Sequence, residues 1–231
     1  AKVKGTKVKI RLGASSGEWK AMVADEAART TFAKNIKTVL EKNKLDGIDL
    51  DFEWAENEKE YKDYSLAILK MREVLGNKYL FSVSLHPVCY KISKEAIEAV
   101  DFISLQCYGP SPVRFPIEKY CSDIQMVLEY GIPKEKLVAG VPFYGVTKDN
   151  SKKTEAYFNF VQNGLVTSPA QNEVIYQGDT YVFDGQDNIR IKTRYAKEQK
   201  LKGMMSWDLA TDLPLSDSRS LLKTMTEELR E

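Results

Sequence analysis

Residues 46–53 read Asp46-Gly47-Ile48-Asp49-Leu50-Asp51-Phe52-Glu53. Strand side chains alternate faces with period two, so Ile48, Leu50 and Phe52 share one face. Gly47, Asp49, Asp51 and Glu53 share the other. The apolar face suits a helix layer. The opposite face lines up three carboxylates, successive ones about 6.5–7 Å apart along the strand. Like charges that close raise one another's pKa, so one carboxyl tends to stay protonated near neutrality. A protonated acid beside ionised ones is what glycosidic cleavage asks for. Glu53 stands last, at the C-terminal end, where parallel α/β folds place catalytic groups. Two other readings stay open. One is a solvated acidic edge strand, although edges more often carry Lys. The other is a hard-metal site for Mg²⁺ or Ca²⁺. No further Asp, Glu or His motif stands nearby to complete it, so no metal is expected.

Outward from this strand, apolar runs alternate with amphipathic stretches. Residues 7–12 (KVKIRL) read as a strand ending at Gly13. Residues 22–42 read as one helix, with Val23, Ala27, Phe32, Ile36, Val39 and Leu40 at helical spacing. Beyond the acidic strand come a helix over 58–75 and a strand over 79–85, closed by Pro87. A short helix over 93–100 has Ser93 as N-cap. A strand over 102–108 follows, then a helix over 117–130 ended by Gly131. The rest reads as a strand over 137–144, a helix over 188–200 capped by Asn188, a strand over 203–207 and a helix over 216–230. Six strand–helix units predict a parallel sheet with helices outside. Only 147–185 breaks the rhythm. It is polar, carries a possible strand pair around 173–183, and reads as a small insertion within a single domain over 1–231.

The chain has 231 residues, 34 Lys plus Arg and 33 Asp plus Glu, for a net charge of +1. That balance argues against a nucleic-acid partner, which wants a basic surplus. With 43% hydrophobic residues the composition is that of a globular protein. No apolar run reaches the roughly 18 residues of a membrane span. Cys89, Cys107 and Cys121 are widely spaced with no C-x-x-C, so they read as partly buried thiols.

The string DGIDLDFE matches the D-G-x-D-x-D-x-E signature of glycoside hydrolase family 18, the chitinases and endo-β-N-acetylglucosaminidases. Weaker matches follow in the family's order. Residues 7–14 (KVKIRLGA) resemble its S-x-G-G strand. Residues 104–109 (SLQCYG) resemble the strand bearing M-x-Y-D or Q-x-Y-N. Residues 140–145 (GVPFYG) resemble the next strand, and 203–208 (GMMSWD) the last, with its tryptophan under the sugar. The resemblance runs over essentially the whole chain.

It implies an α/β TIM (β/α)₈ barrel and a substrate-assisted retaining mechanism, in which the sugar's own 2-acetamido oxygen attacks the anomeric carbon to give an oxazolinium ion. Glu53 would be the acid and then the base. Asp51 would orient the acetamide N–H, with Asp49 sharing a proton or hydrogen bond with it. Tyr108 would bind the acetamide oxygen, and Trp207 would floor the cleaved subsite. Gln106, Tyr144 and Trp54 are further substrate-binding candidates. No cofactor is implied, the partner is a saccharide containing N-acetylglucosamine, and an extracytoplasmic location is suggested. Parity agrees independently: Gln106 and Tyr108 are two apart, as are Met205 and Trp207, and rim aromatics suit sugar faces. Trp19 could reach a cleft from a loop or pack in the core. His86, the only histidine, could touch substrate at the rim or serve as a structural hydrogen-bonder.

The chain departs from the family pattern at several positions. Arg11 and Ala14 stand where S-x-G-G has serine and glycine. An inward Arg needs a partner, and Asp49 is the expected one. Gln106 resembles the plant-type enzymes. Gly109 replaces the final carboxylate, which weakens chitinase relative to an endo-β-N-acetylglucosaminidase acting on N-glycans or peptidoglycan. A non-hydrolytic lectin of the same fold remains a third reading. The first visible strand corresponds to the third of the family's barrel, and residues 1–6 to the tail of the helix before it. Strands 3 to 8 are therefore expected here, with the first two βα units missing and the native protein longer at its N-terminus.

Overall fold

The computed structural model describes residues 7–13, 16–109, 115–149 and 153–231. Ala14 and residues 1–6, with the readings placed on them, lie outside the described residues. The chain groups into two compact units, Ala1–Leu105 with Tyr130–Lys136, and Gln106–Glu129 with Leu137–Glu231.

The first unit runs β1 (Lys9–Gly13), α1 (Ser16–Ala24), α2 (Glu26–Asn43), β2 (Gly47–Asp51), α3 (Glu58–Leu75), β3 (Leu80–Leu85), α4 (Lys94–Ala99) and β4 (Phe102–Leu105). The four strands pair in parallel in chain order. The apolar face of the acidic strand is core: Ile48 and Leu50 are fully buried and Phe52 nearly so. Tyr64 of α3 packs edge-on to Phe52 at 5.1 Å and donates its hydroxyl to Leu50 O at 3.3 Å. Gly47 is required by close approach, because a Cβ there would lie 2.0 Å from Leu80 O.

The stretch 22–42, expected as one helix, is two. Asp25 is extended and its carboxylate accepts from Ala28 N at 2.6 Å, so it caps α2 and stops α1. Trp19 is therefore on a helix, 2% exposed, against Phe32, Phe52 and Tyr64. It packs in the core, not in a loop at a cleft. The helices over 58–75 and 117–130 and the Ser93 cap match expectation.

The second unit holds α5 (Ile117–Tyr130, its last residue counted with the first unit), β5 (Leu137–Pro142), β6 (Tyr144–Thr147), β7 (Thr154–Ala156), α6 (Tyr157–Gln162), β8 (Glu173–Tyr176), β9 (Asp179–Val182), α7 (Gln186–Glu198), β10 (Gly203–Trp207), a 3₁₀ turn at Leu209–Thr211 and α8 (Leu221–Arg230). β5 and β10 pair in parallel. The single strand expected over 137–144 is two strands. After Pro142 the chain leaves that ladder, and Tyr144 starts an antiparallel pairing with Ala156. The polar stretch between forms an antiparallel sheet in the order β7-β6-β9-β8, with Phe160 of α6 packed on Tyr176, Tyr181 and Phe183.

Two helix starts also differ from expectation. α7 begins two residues before Asn188, whose amide instead donates to Asp184 Oδ1 at 3.2 Å. α8 begins at Leu221, capped by Ser220. The Asp212 carboxylate accepts from Leu221 N at 3.0 Å and Leu222 N at 2.8 Å, a negative charge on the positive end of the helix. Among the described residues no helix is long and apolar enough to cross a membrane.

Candidate active site

The acidic face of β2 is built as its alternation requires. Asp49 is 7% exposed and Asp51 3%, and Glu53 lies half-buried just past the strand end. Each aspartate has its own partners. Ser84 Oγ donates to Asp49 Oδ2 at 2.6 Å, and Ser82 Oγ donates to Oδ1. Both serines come from β3, whose register sets Ser82 opposite Asp49 and Ser84 opposite Asp51. Lys9 of β1 donates to Ser82 Oγ at 2.5 Å and lies 3.9 Å from Asp49 Oδ1.

Arg11 corrects an expectation. Its register partner is Asp49, but its guanidinium pairs with Asp51 Oδ2. The reason is local: Gly13, opposite Asp51, has no side chain, and the guanidinium reaches two residue pairs further along the ladder, to the next pair on the same face. A Cβ at Gly13 would lie 3.8 Å from Asp51 Oδ2 and 4.0 Å from Arg11 Nη1. The acidic face is thus matched by a basic one on β1, and the reading as a solvated edge does not hold.

Behind this face, burial pushes the Tyr64 phenol well above its usual range, with the charges of Cys89, Asp49 and Asp51 adding to it. Tyr64 stays a neutral donor. Cys89 is a residue the sequence reading left as a plain thiol. Ala55 N donates to its Sγ at 3.3 Å, which ties down the backbone two residues after Glu53. Burial pushes the thiol up to about 11, so it remains protonated and unreactive at neutral pH. No sequence motif marks Cys89; only its position after His86-Pro87 could have drawn notice. Trp54 packs at a tilt against His86, 4.7 Å between ring centroids. His86 Nδ1 accepts from Val88 N at 3.3 Å, so the ring shapes its own turn and supports Trp54. The peptide bonds Glu53–Trp54 and Trp207–Asp208 are cis.

The second unit brings the other residues together. Gln106 and Tyr108 lie beyond β4, yet they point the same way, with the Tyr108 hydroxyl donating to Gln106 Oε1 at 3.3 Å. Tyr108 is buried with Phe115 and Val146, and Tyr144 and Met205 pack against that cluster. Tyr144 is edge-on to Tyr108 at 6.4 Å and to Phe115 at 6.3 Å. Trp207 ends β10 and is 39% exposed. One buried element escaped the sequence reading: Lys192 Nζ meets Asp184 Oδ2 at 2.6 Å and Phe115 O at 2.9 Å.

Chemically, the first unit offers one half-buried carboxyl beside two aspartates fixed by hydroxyls and cations. The second offers a buried phenol beside a carboxamide, and a partly exposed indole. Comparison with known proteins gives the family and the fold. The family model described as glycosyl hydrolases family 18 matches residues 1–212. Probable chitinase 2 of Drosophila melanogaster is 23% identical over 89% of this chain and 56% of its own length. The chain spans about half the length of the curated relatives it matches. Among solved structures, a chitinase from Bacteroides thetaiotaomicron aligns with a TM-score of 0.84 at 22% identity, covering 96% of this chain and 76% of that one. The chitinase-like agglutinin RobpsCRA of Robinia pseudoacacia aligns with a TM-score of 0.81 at 18% identity, covering 96% and 80%. These likenesses identify the α/β fold as that of the TIM barrel.

Proposed function

The chain belongs to glycosyl hydrolase family 18, and from that premise we propose that it is a retaining glycosidase of β-1,4-linked N-acetylglucosamine polymers, acting outside the cytoplasm. The observation that carries the reading is Glu53, half-buried just past β2 beyond two aspartates, Asp51 held by Arg11 of β1 and Asp49 by Ser82 and Ser84 of β3. In this reading Glu53 protonates the leaving oxygen. The sugar's acetamide oxygen closes on the anomeric carbon, and the bond to the leaving group breaks. Asp51 accepts the acetamide N–H and faces the positive charge that develops. Asp49 lies one alternation behind Asp51, fixed by Ser82 and Ser84. Glu53 then takes a proton from the water that opens the oxazolinium ring, which restores both the acetamide and the acid. Tyr108 turns its single hydroxyl proton from Gln106 Oε1 to the acetamide oxygen and holds that oxygen for attack. Trp207 supplies the apolar floor, and Tyr144 and Trp54 flank the sugar chain.

Mass-spectrometric product analysis with chitotetraose, a peptidoglycan fragment and an N-glycopeptide side by side tests this. Cleavage of chitotetraose is expected, with ¹H NMR of the fresh products showing the β-anomer first. Cleavage of the glycopeptide alone would make the enzyme an endo-β-N-acetylglucosaminidase. Binding without cleavage of any of the three would make it a lectin.

Tyr108→Phe separates orientation from acid catalysis. Losing one neutral hydrogen bond of about 1 kcal/mol to the reacting acetamide is expected to lower kcat roughly five- to tenfold. KM should change little, because the ring and its packing remain. An unchanged kcat would remove Tyr108 from the mechanism.

A further inference from the structure

Arg11 is the sharpest departure of this chain from its family's pattern, and the structure gives it a partner inside the acidic cluster. Its guanidinium meets Asp51 Oδ2 in the corner left open by Gly13. Asp49 is engaged elsewhere, by the hydroxyls of Ser82 and Ser84, with Lys9 behind Ser82. β1 therefore presents two cations to β2, Lys9 on the Asp49 side and Arg11 on the Asp51 side. The charged or titratable groups around Asp51 are Arg11 and Lys9 from β1, Asp49 and Glu53 from its own strand, and Tyr64 and Cys89 behind it. β3 contributes only hydroxyls from its inner face, with His86 following the strand. Arg11 is the cation in contact with Asp51.

We propose that Arg11 is a positioning residue for the reaction, holding Asp51 ionised and turned toward β1, so that Asp51 accepts the acetamide N–H without sharing a proton with Asp49. A guanidinium cannot give up its proton, and an opposite charge in contact favours the ionised carboxylate. Its side chain is 38% exposed, so solvent screens part of the effect. A serine in the same place could offer Asp51 a hydrogen bond but no charge. Asp51 would then lie beside Asp49 and Glu53 without the guanidinium that now touches it. It would take up a proton at higher pH, and a protonated Asp51 has lost acceptor strength toward the N–H.

This inference rests on the glycosidase reading, and the test keeps the two apart. Wild type, Arg11→Ser and Arg11→Lys are compared between pH 4 and 8 with a chromogenic chitin oligosaccharide. In parallel, Asp side-chain ¹³Cγ resonances are titrated, with Asp51→Asn assigning the Asp51 signal. Arg11→Ser is expected to lose kcat increasingly toward the acid end of the range, by up to about tenfold for each pKa unit by which Asp51 rises, and to lose much less at pH 7.5, with KM nearly unchanged. The Asp51 signal should titrate at higher pH in that variant, and Arg11→Lys should restore both readouts. A wild-type pH profile together with an unmoved Asp51 titration in Arg11→Ser would overturn the proposal. If the wild type cuts no N-acetylglucosamine oligomer, the glycosidase reading falls, while the Asp51 titration still decides whether Arg11 holds that carboxylate.

Discussion

Glu53→Gln is expected to lower kcat on an N-acetylglucosamine oligomer by about 10²–10⁴-fold, the usual worth of a positioned general acid–base. The amide keeps the size of the side chain and can still donate a hydrogen bond, but it cannot deliver a proton to the leaving oxygen. Binding of the oligomer should survive, because the indole of Trp207 and the tyrosines are untouched. The fold should survive as well. Glu53 lies past the last residue of β2 and is only half-buried, and the neighbouring backbone is held by Ala55 N on Cys89 Sγ. The experiment pairs turnover with calorimetric binding of chitotetraose to the variant. Retained turnover would remove Glu53 as the acid. Turnover and binding lost together, with an unchanged melting temperature, would make Glu53 a binding group instead.

The acidic strand was legible because a period of two is the simplest pattern a sequence can carry. Ile48, Leu50 and Phe52 could only face the core if Asp49 and Asp51 faced the other way, and the burial of all five follows. Gln106 with Tyr108 was legible for the same reason, although both stand past the strand that predicted them. Long amphipathic helices such as 58–75 were read to the residue because their apolar faces are regular. What escaped was decided by single polar contacts. Asp25 splits one helical pattern into two by accepting one backbone N–H, and apolar spacing alone cannot see that. Asn188 looked like a cap and is instead a partner of Asp184. Arg11 was read as facing inward, and it does. Its choice of Asp51 over Asp49 depends on the vacancy at Gly13, a property of two strands in register rather than of either one. The partnership of Cys89 with Ala55 spans 34 residues and carries no local signal.

The largest stability effect is expected at Lys192, a residue with no sequence signal beyond its place on α7. Lys192 is 1% exposed, as is Asp184. Its ammonium bonds to Asp184 Oδ2 and to Phe115 O, and lies 5.5 Å from the Tyr120 ring centroid. Lys192→Met keeps the length of the stem but leaves Asp184 buried with only the Asn188 amide. Removing one member of a buried pair typically costs about 3–5 kcal/mol. The cost depends on pH in a definite direction. Burial already raises the Asp184 carboxyl above its ordinary range even with Lys192 beside it, and losing the cation raises it further. A carboxyl raised in the folded state costs stability only above the pH at which the unfolded carboxyl ionises, near 4. At pH 5 the ionisation share of the loss is therefore capped at about 1.5 kcal/mol, and at pH 8 it is larger. Urea melts at both pH values should show Lys192→Met losing more at pH 8, while Asp184→Asn/Lys192→Met recovers most of the loss because no charge is left without its partner. Equal stability of Lys192→Met and wild type at pH 8 would mean that water or another group compensates Asp184, and that the pair does not hold this unit together. Phe115 gives the same variant a second readout. Its carbonyl is released in Lys192→Met, and its ring packs on Tyr144, so kcat should fall even at temperatures where the variant is fully folded.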